Sequence, residues 1–207
     1  QSVLALSPAE ENTVYVLELS SYQIDLSPRF SPDIAVLLNL SPDHLDRHGS
    51  MKGYIQSKWQ MFENLQPGST AIIGVDGSDE TALAESAETN DAIISVRISG
   101  QAEKTAKVFY QEGWLCDQEG PIVDLSSIAT LQGAHNGQNA AAAYVAALSA
   151  GAAKDDIIRA FAGFQGLAHR MQPIGEISGE DGEVRFVNDS KATNAEASAH
   201  ALATYDK

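Results

Sequence analysis

The residue whose surroundings most constrain its chemistry is Lys58. At about 100° per residue, Met51, Tyr54, Ile55, Lys58, Phe62 and Leu65 fall within one arc of roughly 100°, with the lysine near its centre. A lysine in the middle of an apolar helix face must snorkel, pair with an anion or change chemically. Snorkelling is the ordinary outcome. The alternative is a desolvated amine of lowered pKa, which can react with carbon dioxide to give a carbamate. That exchange turns a cation into an oxygen donor suited to magnesium.

Two further clusters sit at the ends of apolar runs. Glu18 closes Val14-Tyr15-Val16-Leu17-Glu18-Leu19 and, in a strand, shares a face with Val14 and Val16. An ionised carboxylate there needs a cation or a solvent-filled crevice, although a strand-end glutamate can simply reach water. The run Ile34-Ala35-Val36-Leu37-Leu38-Asn39 leads directly into Ser41-Pro42-Asp43-His44-Leu45-Asp46-Arg47-His48. These imidazoles and carboxylates occupy the C-terminal edge at which open α/β sheets hold ligands, where a metal or a phosphate could bind. Ser41 as helix cap with Pro42 at the first helical position explains part of the segment, but not the clustering of His44, Asp46, Arg47 and His48.

Gly133-Ala134-His135-Asn136-Gly137-Gln138-Asn139 opens an alanine-rich helix, and Asn136 and Asn139 share one of its faces. Their amides can donate and accept together, as recognition of an adenine edge requires. Capping accounts for Asn136 alone. Asn188-Asp189-Ser190-Lys191-Ala192-Thr193-Asn194 follows the run Val184-Arg185-Phe186-Val187, and Lys191 there suits a phosphate or carboxylate. Arg170 is a second candidate for an anion.

The elements that must position these groups alternate. Strand-like runs at 14–19, 34–39, 70–75 and 92–98 are interleaved with helical patterns at 51–65 and 79–88, with Pro67-Gly68 ending the first helix. The runs lack polar alternation, as parallel strands buried on both faces do. The expected fold is therefore α/β, with a mostly parallel sheet flanked by helices. From 107 to 124 the pattern becomes a small antiparallel ribbon decorating the sheet, followed by helices at 133–149 and 154–164. A strand pair at 171–177 and 183–188 and a helix from about Ala195 open a second α/β unit, so a boundary is expected at 166–169.

Composition narrows the function. Acidic residues outnumber basic ones 28 to 13, for a net charge of −15, and the basic residues are scattered, which argues against nucleic acid as a partner. The single cysteine, Cys116, excludes an internal disulfide and a CxxC zinc site. The continuous small-apolar stretch 140–147 is far shorter than the roughly 18–20 residues that span a bilayer. A cytoplasmic protein is the expectation. No GxxxxGK[ST] loop, GxSxG elbow or HExxH helix occurs.

The ordered set LELSSYQ, NLSPDHLDRH, YIQSKWQMFEN, HNGQNAAAA, GLAHRM and NDSKATN resembles the Mur ligase family over essentially the whole chain. NDSKATN resembles the D-glutamate-adding branch. The resemblance implies ATP and Mg2+ as cofactors and UDP-MurNAc-L-alanine and D-glutamate as substrates; a monomer is the expectation. It further implies Glu18, His44 and a carbamylated Lys58 as magnesium ligands, and Asn136 and Asn139 at the nucleotide base. Arg170 and Asp189 would reach the nucleotide from the domain junction, and Lys191 and Thr193 would lie near the phosphates and the incoming glutamate. Lys58, His44 and Lys191 would be the catalytic set. By the same resemblance the family's phosphate loop belongs upstream of Glu18. The expectation is thus a piece of a longer enzyme, inactive alone: residues 1–166 of the central ATPase-type domain and 167–207 of the glutamate-binding domain. Another ATP-dependent amino-acid ligase, such as a folylpolyglutamate synthase, differs at NDSKATN. A non-catalytic acidic α/β binding module would use the same clusters as caps and solvated edges.

Overall fold

The run Thr70-Ala71-Ile72-Ile73-Gly74 is buried along its whole length because it is paired on both edges and covered on both faces. In the computed structural model, which describes residues 6–8, 10–179, 182–193 and 198–199, this is strand β2. It pairs in parallel with β1 (Ile34–Leu37) and with β3 (Ile94–Ser99). Strand β4 (Val108–Gln111) joins β3 in parallel, and β5 (Trp114–Asp117) and β6 (Gly120–Asp124) continue antiparallel. The six lie in the order β1-β2-β3-β4-β5-β6. The expected ribbon is therefore part of the sheet rather than laid on it, because β4 takes the free edge of β3.

Alternation along β2 separates two cores. Ala71 and Ile73 pack with Phe62 and Leu65 from α3 (Met51–Glu63) and its C-terminal flank, and with Ala84 and Ala87 of α4 (Ser78–Glu88). Ile72 packs, with Val96, Ile98 and Leu115, against α5 (Ala134–Ser149) and α6 (Lys154–Ala162). The alanines of α5 let it lie close to the sheet. Gly137 is required there, since a Cβ at that position would collide with the Tyr110 ring. The resulting layers are helix, sheet, helix. A separate two-stranded antiparallel sheet follows, β7 (Gln172–Gly179) with β8 (Gly182–Asn188).

Two local expectations fail. Residues 14–19 form no strand: Val14 is 65% and Val16 93% exposed, and among the described residues no backbone lies beside them to complete a ladder. A β-like sequence without a partner leaves its polar backbone to water. Nor do Ser41 and Pro42 start a helix. The short α2 (Leu45–His48) begins after His44, whose left-handed backbone (φ 52°) breaks the entry and leaves no side-chain cap. Sequence reasoning also missed α1 (Ser21–Asp25), whose capping box is legible as Ser20-x-x-Gln23. The helix expected from Ala195 lies outside the described residues apart from Ser198 and Ala199, which are helical.

Candidate active site

Asn136 and Asn139 lie one helical turn apart at the start of α5, where the Gly133 cap makes no side-chain bond. Asn136 is not the cap. Its Nδ2 donates instead to the Gln132 carbonyl at 2.9 Å, which leaves its oxygen as the outward acceptor. Both asparagines line a cavity of about 790 Å³, a size suited to a nucleotide. Arg170, Asp189 and Lys191 line the same cavity, so five sequence-predicted residues from three motifs converge. Among the described residues, the side chains of Asn139, Arg170 and Lys191 have no protein partner. Thr193 is exposed and does not line the cavity.

A stapled turn brings the second-sheet residues to α5. Gly166, His169 and Met171 all have positive φ (77°, 65° and 46°), an unusual concentration for a segment with two non-glycine members. Asp189 Oδ1 accepts from the Met171 N–H at 3.0 Å, and the Lys191 N–H donates to the His169 carbonyl at 3.0 Å. Asn188 Nδ2 adds a contact to His169 Nδ1 at 3.0 Å. One oxygen of Asp189 is therefore committed to the backbone. The apolar wall, which sequence reasoning had not assigned to a site, comes from Ile157 and Phe161 of α6 with Phe164 and Leu167. The spacing of Ile157 and Phe161 on the amphipathic α6 was the available signal.

Glu18, His44 and Lys58 all lie outside that cavity. Lys58 is half-buried on α3 with its Nζ 5.2 Å from the centre of the Tyr54 ring. Burial holds its ammonium below the ordinary 10.5, while the nearby Glu18 and Asp43 carboxylates push the other way. Desolvation and then Asp43 raise the Tyr54 phenol above 10.0. His44 lies edge-on to Tyr22 at 4.8 Å, with Nε2 3.4 Å from Asp43 Oδ2. Among the described residues, no three His, Cys, Asp or Glu side chains converge as a ready metal set. Unmodified Lys58 is a cation near the Glu18 and Asp43 carboxylates; as a carbamate it would add oxygen donors there, the ligand type that magnesium takes.

A polar network runs at the C-terminal ends of the parallel strands. Gln138 is 5% exposed; its Nε2 donates to Asp76 Oδ2 at 2.7 Å and its Oε1 accepts from Asn39 Nδ2 at 3.4 Å. Asp76 also accepts from the Gly100 N–H at 2.8 Å and from the Ser99 hydroxyl. The start of α5 is thereby pinned to the ends of β1, β2 and β3. Sequence reasoning missed Asp76, although it ends its strand much as Glu18 ends its own apolar run.

Residues 1–147 match the Mur ligase middle domain. The chain belongs to the Mur ligase family. The whole chain aligns at 47% identity with 43% of the UDP-N-acetylmuramoylalanine--D-glutamate ligase of Rhizobium johnstonii. It spans less than half the length of the curated Mur ligases it matches. The fold is shared with MurF from Acinetobacter baumannii (TM-score 0.67, 22% identity, 88% of this chain and 40% of that one). It is also shared with MurF ligase from Thermotoga maritima in complex with ADP (TM-score 0.61, 16% identity, 91% of this chain and 43% of that one).

Proposed function

We propose that these residues are the central part of an ATP-dependent amide ligase that joins D-glutamate to UDP-MurNAc-L-alanine in peptidoglycan precursor synthesis. Residues 1–166 are its nucleotide-handling domain, and 167–207 open the glutamate-binding domain. The separate β7–β8 sheet and the strained turn at 166–171 support that boundary. The observation that carries the reading is the convergence of Asn136, Asn139, Arg170, Asp189 and Lys191 on one nucleotide-sized cavity.

In this reading the phosphoryl group of ATP passes to the substrate carboxylate. The amine of D-glutamate then attacks the acyl phosphate, forming the amide and releasing phosphate. Such chemistry depends on positioning and electrostatics. Asn136, held by Gln132, presents an acceptor to the base, and Asn139 supplies a free amide. Arg170 and Lys191 offset phosphate charge from the far wall, while Lys191 and Thr193 face the incoming glutamate. Glu18, His44 and carbamylated Lys58 would hold magnesium, which when bound neutralises charge on the phosphoryl oxygens. The enzyme acts as a cytoplasmic monomer without nucleic-acid or membrane partners. Its acidic balance argues against a polyanionic partner.

The test is phosphate release by the full-length ligase with ATP and UDP-MurNAc-L-alanine. Release that depends on both magnesium and D-glutamate is expected. Dependence on L-lysine or a folate instead would overturn the assignment to this branch.

A further inference from the structure

Glu18, His44 and Lys58 sit on three separate stretches of chain, and one interior set of side chains ties those stretches together. His48, one turn beyond His44, has a side chain only 5% exposed. Its Nε2 lies 2.9 Å from Ser21 Oγ and its Nδ1 4.0 Å from Asp25 Oδ2. Asp25 Oδ1 accepts from the Ser57 hydroxyl at 2.7 Å, and that hydroxyl also lies 3.0 Å from the Ser21 carbonyl. The Arg47 guanidinium reaches Asp25 Oδ2 at 3.6 Å. The rings of Tyr22 and Tyr54 flank His48, at 5.9 and 5.6 Å between centroids.

The placement along the chain is what matters. Ser21 begins α1 three residues after Glu18, Asp25 ends the same helix, His48 ends α2 and Ser57 precedes Lys58 on α3. Each proposed cation ligand is thus within one helical turn of a member of the network. A Ser–His–Asp arrangement suggests a nucleophile, but Ser21 is 2% exposed and meets no substrate. Buried polar groups persist only when they satisfy one another. The far end of the loop is fixed too: the Leu40 N–H donates to Oε1 of the buried Glu80 at 2.6 Å. Between these anchors His44 holds its left-handed backbone, a conformation that needs the chain pinned on both sides.

We infer that Ser21, Asp25, His48 and Ser57 form an interior clamp that holds Glu18, His44 and Lys58 at one divalent-cation site, with Asp25 as its hub. The inference rests on the reading of those three residues as a cation site. The clamp residues are positioning residues: they touch neither cation nor substrate, and they act by keeping three helices in register.

The test compares Ser57→Ala and the isosteric Asp25→Asn with the parent in the full-length ligase. Four quantities are read: magnesium affinity by calorimetry, the 13C NMR signal of a lysine carbamate formed from labelled bicarbonate, ATP affinity without magnesium, and the melting temperature. Both variants are expected to bind magnesium about tenfold more weakly and to lose carbamate signal, with ATP affinity within about twofold of the parent. His48→Gln, which keeps a polar partner for Ser21, should retain more of both signals than His48→Leu. If Ser57→Ala and Asp25→Asn lower the melting temperature yet keep parental magnesium affinity and carbamate signal, the network is structural only and the clamp is overturned. If Lys58→Ala itself leaves magnesium affinity unchanged, the cation-site reading fails and the clamp falls with it.

Discussion

The cavity and the cation cluster are assembled in opposite ways. Asn136 and Asn139 are set by a single helix, and Arg170, Asp189 and Lys191 by a turn whose backbone is bonded to the end of β8. Apart from the Asp189 carboxylate, which holds the Met171 N–H, most of that geometry should survive the loss of any one side chain. Glu18, His44 and Lys58 share no ladder and no helix; what sets their relative places is the side-chain network of Ser21, Asp25, His48 and Ser57. A site built on backbone should lose function one contact at a time. A site built on side chains should fail together.

The sharpest way to break that contrast is Lys58→Ala in the full-length ligase. The proposed carbamate reverses a charge at the centre of the cation site, so removing it should lower kcat by about a thousandfold or more, the scale at which transition-state charge stabilisation acts. A short carboxylate such as acetate should restore part of the rate, whereas Lys58→Arg should be rescued less because its guanidinium still fills the space with positive charge. Steady-state rates with and without acetate decide it. A fully active Lys58→Ala enzyme would remove the carbamate from the mechanism.

Asn139→Ala probes the other construction and should have a smaller, purely local effect. The side chain is exposed in the cavity and has no protein partner among the described residues, so the fold does not depend on it. One hydrogen bond to a base corresponds to about 1 kcal/mol, hence roughly five- to tenfold weaker ATP binding. The melting temperature should stay within about one degree of the parent, and magnesium affinity should not change. Calorimetry with ATP, set beside a melt of the same sample, checks both. A large loss of stability with unchanged binding would show that α5 needs this amide for packing.

The same distinction governs what could be read from the sequence. The face shared by Asn136 and Asn139, the apolar arc around Lys58 and the buried run Thr70–Gly74 follow from local periodicity, and all stand where the pattern puts them. Residues 14–19 are as β-like as β2 and still form no strand, because a ladder is a property of two segments and, among the described residues, no partner lies beside this one. The clamp is equally hidden. Ser21, Asp25 and Ser57 look like ordinary helix polar residues until the fold brings three helices together, and the left-handed His44 is imposed by anchors at Leu40 and His48.

The smallest effect sharpens the comparison at Lys58 itself, through pH. Burial lowers its pKa from 10.5, with Glu18 and Asp43 opposing. The native state therefore binds the proton less tightly than the unfolded chain. Stability lost by burying the ammonium is recovered as pH rises from the lowered native value towards 10.5, where both states are neutral. Tyr54 works in the other direction: its pKa lies above 10.0, so the unfolded chain ionises first and stability falls as pH climbs through that window. In carbon dioxide-free buffer, Lys58→Met should melt slightly higher than the parent near neutral pH, by about one or two degrees, given that the lysine keeps some access to solvent. That advantage should shrink as pH approaches 10.5, and Tyr54→Phe should remove the opposing alkaline decline. Thermal melts across pH 7–11 measure both slopes. An advantage for Lys58→Met that grows with pH would mean that the carboxylates outweigh burial and that Lys58 is a paired cation. The neutral amine needed for a carbamate would then be disfavoured where the proposed chemistry requires it.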